Sequence, residues 1–245
     1  LYNRHYHREW YNKGAVWGGD KEGGLMTSSK EPILLASDGK PAIPSGIWAL
    51  DKLHYLKNYC DIFSTGMKKW EHRIYIDLFS GPGICVIEDT GDEQFGSPLI
   101  SLGCRTPFTH YYFIDKNKDY IETLRHRSKD YQLNKVFLNM DCNYAIDELL
   151  NKLPKKYAIF FTFIDPFNFE IEFNSIKKLT ANRPMDLLIT FHIASLKRSI
   201  HQPSPKMKKF FPPLDWKELY RVSYISGKIH ERLLLDKYEE GLREV

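Results

Sequence analysis

Five short apolar runs recur through the middle of the chain, separated by stretches of helical periodicity. They are Ile74 to Leu78, Tyr111 to Ile114, Val136 to Asn139, Ala158 to Ile164 and Asp186 to Phe191. Each is apolar throughout rather than alternating, as strands buried on both faces of a parallel sheet are. Helices are predicted between them over about Ser97 to Cys104, with Pro98 in the first turn, and over Lys118 to Arg127, Tyr144 to Leu153 and Phe173 to Leu179. Strands alternating with helices imply an α/β fold: a doubly wound, mostly parallel, Rossmann-like sheet with helices on both faces.

Upstream, Trp48, Leu50, Leu53, Leu56, Tyr59, Cys60 and Phe63 recur at helical spacing, with Ser45 as the expected N-cap. This helix is expected to cover one face of the sheet. Residues 1–47 are broken by Gly18-Gly19, Gly23-Gly24, Pro32, Gly39, Pro41, Pro44 and Gly46, and read as an irregular extension packed on the domain or on a partner. Within it, Ile33 to Ser37 is a candidate short strand ending in an Asp38-Gly39 turn. Gly91 to Phe95 reads as a loop. After His192, Pro203, Pro205, Pro212 and Pro213 predict a loop, followed by amphipathic helices over about Trp216 to Ser223 and Lys228 to Glu240. The expected organisation is therefore an extension over 1–47, an α/β domain over 48–200, and a Pro-rich loop with C-terminal helices over 201–245 packed on that domain.

Composition narrows the classes. The chain has 245 residues, 42% hydrophobic, with a formal net charge of +4. That is core enough for one large α/β domain, and no run approaches the length of a membrane span. The N-terminal residues are rich in His, Arg and Tyr, so no signal peptide is visible. The charge is too mild for a protein that coats DNA. Basic clusters occur at Lys68-Lys69, Lys155-Lys156, Lys177-Lys178, Lys197-Arg198 and Lys206-Met207-Lys208-Lys209, and the last two are candidates for phosphate contact. Cys60, Cys85, Cys104 and Cys142 form no Cys-x-x-Cys pair and have no His at metal spacing. They read as reduced structural thiols of a cytoplasmic protein, and no metal is assigned.

The chemistry sits at the strand ends. Asp77 closes the first strand, Asp115 the second and Asp165 the fourth, and Asp141 follows the third. A Gly81-Pro82-Gly83 turn follows Asp77, where the lack of a Cβ lets a ligand lie against bare backbone. In such a sheet the crevice at the carboxyl ends of the strands takes nucleotide-like ligands. An acid after the second strand suits the two ribose hydroxyls, one after the third suits the exocyclic amine of adenine, and Asp77 suits an ammonium group. S-adenosylmethionine meets these demands. Its contacts are expected at Asp77, Phe79, Ser80, Gly81, Pro82, Gly83, Asp115, Lys116, Asp141 and Cys142. A strand-end carboxylate is also a common N-cap for the helix that follows. A nicotinamide enzyme would prefer Gly-x-Gly-x-x-Gly directly after the strand, but position 86 is Val.

Asp77-Leu78-Phe79-Ser80-Gly81-Pro82-Gly83 resembles motif I of the class I S-adenosylmethionine-dependent methyltransferases. It looks like the cytosine-C5 version, yet the Pro-Cys pair that those enzymes need does not occur. Asp165-Pro166-Phe167 resembles a shortened Asp-Pro-Pro-Tyr/Phe motif of the amino-methyltransferases, which implies that these three residues border the acceptor and that Phe167 or Phe169 stacks on a base.

A broader resemblance runs from Trp48 to Tyr238: Trp48, Lys52-Leu53, Leu56 and Tyr59, motif I, Gly96-Ser97-Pro98-Leu99, Tyr112 to Asp115, Ile164 to Phe167, Asp186 to Ile189, and Phe210-Phe211 before Trp216. This pattern is similar to the three-Cys-motif partner (TcmP) family. It implies a class I methyltransferase-like fold and a partner protein carrying a three-Cys motif, but no settled substrate. S-adenosylmethionine-dependent methyl transfer is expected, with a nucleic-acid amine as the preferred acceptor. The complete methyltransferase sheet ends in an antiparallel hairpin, and no strands for it are evident after Phe191. The alternative expectation is a non-catalytic nucleotide-binding or sensor module within a multi-protein, defence-type assembly.

Overall fold

A computed structural model describes residues 34–200, 202–226 and 230–243. In chain order the elements are β1 (Ile43–Ser45), α1 (Trp48–Gly66), β2 (His72–Asp77), β3 (Ile84–Ile87), β4 (Glu93–Phe95), α2 (Ser97–Leu102), β5 (His110–Asp115), α3 (Lys118–Arg127), β6 (Lys135–Asn139), α4 (Cys142–Lys152), β7 (Ala158–Ile164), α5 (Phe173–Thr180), β8 (Met185–Ile189), α6 (Ile193–Ser199), α7 (Pro205–Phe210), α8 (Trp216–Ser226) and α9 (His230–Arg243). They belong to one compact unit, Ile33–Val245, and Leu1–Pro32 lies outside the described residues.

The main sheet has five strands in the order β6-β5-β2-β7-β8, every pair parallel. These are the five predicted strands. Two apolar layers cover it. On one face Leu56, Cys60 and Phe63 of α1, Leu99 and Leu102 of α2 and Leu124 of α3 pack against Tyr75, Tyr111, Phe113, Phe161 and Phe163. On the other, Ala145, Ile146 and Leu149 of α4, Ile176 and Leu179 of α5, Leu196 of α6 and Tyr238 of α9 pack against Ile74, Ile76, Ile114, Phe160 and Ile164. Alternate residues of each strand thus feed opposite layers, which is why the runs read as continuously apolar. Interior strand β7 is buried along its whole length, whereas edge strand β8 is only half-buried.

Helix starts follow capping chemistry. The Asn117 side chain accepts from the Asp119 and Tyr120 N–H groups at the start of α3, and Asp141 accepts from Asn143 N–H at the start of α4. Arg125, His126 and Arg127 stand in the last turn of α3, where cations suit the helix dipole.

Several expectations give way. Ser45 does not cap α1: it ends β1, and α1 starts from Ile47 with the Gly46 carbonyl taking the Ala49 N–H. Trp48, 63% exposed, and the exposed Leu50 and Tyr59 lie off the buried stripe of α1, which is Leu53, Leu56, Cys60 and Phe63. Residues 91–95 are not a plain loop. β3 and β4 form an antiparallel hairpin around Gly91 at φ +75°, and β1 joins β3 in parallel to complete a small second sheet. Residues 34–47 are consequently built into the domain; of the expected 33–37 strand, Ile33 lies outside the described residues, and among the others only Leu35 pairs, in an isolated bridge with Pro41. The Pro-rich loop contains α7, started by Pro205 and capped by Ser204, and α6 precedes it. The fifth strand of the main sheet stops at Ile189 rather than Phe191.

Candidate functional site

The chain builds β2, β5 and β6 outward in one direction, then crosses back to lay β7 and β8 on the other side of β2. The reversal falls between β2 and β7, and in open α/β sheets such a reversal opens a crevice at the carboxyl ends of the strands. Asp77 is the last residue of β2, Asp115 the last of β5, and Asp165 follows β7.

Asp77 and Asp165 share the α1 face of the sheet. Asp77 is fully buried. It accepts from the Tyr75 hydroxyl (3.3 Å) and the Phe79 N–H (3.2 Å). Burial pushes its carboxyl up to about 7 and the Asp165 charge adds to the rise, while hydrogen bonds from Ser97, Phe79 and Tyr75 pull the other way. Asp165 is held on both oxygens, by the Lys52 ammonium from α1 and by the Thr190 hydroxyl just past β8. Lys52 and Thr190 are the functional candidates that sequence reading passed over. The available signal for Lys52 is a cation beside Leu53, at the edge of the apolar stripe of an amphipathic helix. With two carboxyls against the one Lys52 ammonium, this end of the sheet carries a net negative charge whenever both are ionised.

Asp115 lies one strand over. Its Oδ2 accepts from the Gly81 N–H (2.9 Å) and its Oδ1 from the Asn117 N–H (2.8 Å). Burial raises its carboxyl, and those two amides oppose the rise. Each carboxylate oxygen retains acceptor capacity beyond one amide. The turn is wound by Gly81 at φ +58° and Gly83 at φ +93°. Ser80 is 4% exposed, and its hydroxyl is buried without a hydrogen-bond partner. Phe79 is half-buried, and Gly81, Pro82 and Gly83 are buried. The cover over Gly81 is Ile43 of β1: a Cβ on Gly81 would lie 2.6 Å from Ile43 Cδ1.

The remaining candidates are spread around this centre. Asp141 serves as the N-cap of α4, and its Oδ1 also takes the Asn143 side-chain amide (3.1 Å). It lines a groove of about 630 Å³ with Tyr144, Phe169, Glu170, Lys206 and Lys209, which neither Asp77, Gly81 nor Asp115 reaches. The Cys142 side chain is buried in the core, so any ligand role falls to its main-chain N–H at the start of α4. Lys116 is exposed beside Asp115. Pro166 is buried, and Phe167 is 85% exposed with its ring 6.3 Å from that of His192. Phe169 is core instead, packed edge-on against Phe210. Of the basic residues of α7, Lys209 pairs with Glu172 (2.8 Å) and Lys206 with Glu170 (3.9 Å), which weakens their claim on phosphate. Among the described residues no cluster of His, Cys, Asp and Glu is arranged to hold a metal ion, and no helix is long and apolar enough to cross a membrane.

Fold and site together define an α/β protein with a five-stranded, all-parallel sheet flanked by helices, compatible with a Rossmann-like architecture. No protein-family model matches the chain, and no curated protein matches it. Among solved structures it is similar to a Legionella pneumophila protein of the DUF519 family model, at 13% identity and a TM-score of 0.44, over 63% of this chain and 73% of that one. At that score the likeness carries no argument.

Proposed function

We propose that the chain is a class I methyltransferase-like protein that binds S-adenosylmethionine at the carboxyl ends of β2 and β5 and transfers its methyl group to an amine, preferably of a nucleic acid. The observation that carries this reading is the Asp115–Gly81 link. A carboxylate at the end of the second parallel strand is tied to the glycine turn that follows the first, beside the reversal of strand order.

The residues of β2 and β5 support this reading, whereas Asp141, expected at the adenine amine, caps α4 and lines a separate groove. Asp115 offers acceptor capacity for ribose hydroxyls, and the orphaned Ser80 hydroxyl lacks a partner that a polar ligand supplies. Asp77 and Asp165 suit a ligand that carries an ammonium and a sulfonium. When bound, that group supplies an activated methyl. The chain's part is alignment: Asp165 and Thr190 fix the floor of the acceptor side, and exposed Phe167 offers a face on which a base can stack.

A second reading rests on one observation. Both oxygens of Asp165 are already engaged, by Lys52 and Thr190, so an incoming amine has to share or displace a donor. This favours a nucleotide-binding module without methyl transfer. Titration calorimetry with S-adenosylmethionine tests the first claim, and heat of binding in the micromolar range is the expected outcome. Absence of binding at millimolar ligand removes both the enzyme and its cofactor. With binding established, transfer of tritiated methyl groups to DNA, RNA or protein separates enzyme from module.

A further inference from the structure

We infer that residues 38–45 form a latched lid over Gly81, closed in this structure, and that a ligand gains that face of the turn by displacing it. The inference rests on the crevice reading above and adds the device that controls access to it.

One side chain makes the latch. Arg127, at the end of α3, is almost fully buried. Its Nε and Nη2 hold the two oxygens of Asp38 at 2.9 and 2.7 Å. Its Nη1 donates to the Pro41 carbonyl (2.7 Å) and to the Pro82 carbonyl (2.9 Å), and Nη2 also reaches the Lys40 carbonyl (3.3 Å). One guanidinium therefore ties three residues of the strap to the middle of the Gly-Pro-Gly turn. Bidentate, charge-assisted bonds of this kind are strong and geometrically exacting. The Arg127 bond holds the Asp38 carboxyl down at about 2, so the latch keeps its charge at physiological pH.

Ile43 is what the latch holds in place. Its Cδ1 occupies the bare face of Gly81. The glycine there has φ +58°, a conformation that serves close backbone approach. The hydroxyl of the preceding residue, Ser80, is buried and unpartnered. A buried hydroxyl without a partner costs free energy. A greasy side chain cannot repay that cost, and a polar ligand in its place can.

Beyond the latch the strap is held by a three-residue strand paired with β3 and by the buried Ala42. Its strand β1 has three residues and belongs to the small sheet rather than the main one. Asp38, Gly39 and Pro44 are exposed. Segments with few buried contacts open at lower free energy than the core.

Asp38→Ala breaks the latch at its exposed end and leaves the crevice residues intact, and Ile43→Ala removes the cover. With the lid closed for most of the time, apparent affinity is reduced by the open fraction, so both variants should bind S-adenosylmethionine about three- to tenfold more tightly than the wild type. Unchanged or weakened binding in both overturns the lid. Hydrogen exchange judges the strap without a ligand. The Ala42 N–H, bonded to the Leu34 carbonyl, and the Glu88 N–H, bonded to the Ser45 carbonyl, should exchange faster in Asp38→Ala, with the amides of β2 and β7 unaffected. If no form binds S-adenosylmethionine, the cofactor reading fails by itself and exchange decides the latch: selective acceleration at Ala42 and Glu88 supports it, and unchanged exchange there overturns it.

Discussion

Lys52 reaches from the second turn of α1 to Asp165 at the carboxyl end of β7, while Thr190 holds the other oxygen of the same carboxylate. Helix and sheet are thereby pinned at the point where strand order reverses. The side chains of Lys52 and Asp165 are 29% and 19% exposed, between a surface pair worth under about 1 kcal/mol and a buried pair whose breakage costs about 3–5 kcal/mol. Lys52→Met should therefore destabilise by roughly 1–2 kcal/mol in urea unfolding. Adding Asp165→Asn should cost little more, because the orphaned charge is gone. Fully additive losses would show that the two side chains do not act as a pair.

Asp77 gives a pH signature. Its carboxyl is pushed up to about 7 from the ordinary 3.8, so the fold keeps it protonated where an unfolded chain has already lost the proton. This group's contribution to stability is complete below about pH 4 and is lost as pH rises toward 7. Asp77→Asn, which stays neutral, should match the wild type near pH 4 and exceed it at pH 8 by a few kcal/mol, of order 3. Urea midpoints at the two pH values measure the difference. An Asn variant that tracks the wild type across that range would mean that Asp77 is ionised in the fold.

Much of this was legible in the chain and some was not, for separable reasons. Ala158 to Ile164 is identifiable as a strand because burial on both faces leaves no polar position to confuse the period. The small sheet is different. It joins Ile43 to Cys85, forty-two positions apart, through strands of three and four residues that contain Pro44 and lie beside Gly91. No local pattern encodes such a pairing. At the site, Asp77, Gly81 and Asp115 are found from strand-end position alone. Ile43, Lys52, Arg127 and Thr190 are brought in by other elements, and only the folded geometry shows them. Asp141, expected at a ligand from its strand-end position, caps α4 instead.

Gly81 tests how tightly the turn is closed. Gly81→Ala meets two penalties: an L residue at φ +58° costs about 1–2 kcal/mol, and its Cβ would stand 2.6 Å from Ile43 Cδ1. The second is relieved by shortening Ile43, the first is not. Ile43→Ala with Gly81→Ala should therefore lose less than the sum of the single losses, with a coupling of about 0.5 kcal/mol or more. Thermal unfolding of the four proteins in the cycle reads it. Strict additivity would show that Ile43 does not rest on the turn in solution.

Asp115 links the fold's geometry to its ligand. Its two oxygens fix the Gly81 and Asn117 amides, so Asp115→Ala leaves two N–H groups without their acceptor and should lower the melting temperature by a few degrees, corresponding to about 1–2 kcal/mol. The same variant also removes the acceptor proposed for the ribose hydroxyls, and S-adenosylmethionine affinity should fall about 10- to 100-fold, equivalent to about 1.4–2.8 kcal/mol. Asp115→Asn separates the two effects. Its amide oxygen can keep one main-chain bond, but its NH₂ faces a donor, so stability should recover only in part while ligand affinity stays low. Calorimetry on all three proteins, at a temperature where circular dichroism shows each folded, decides the matter. If the wild type binds and Asp115→Ala binds equally well, the carboxylate is a brace for the turn and the nucleoside lies elsewhere.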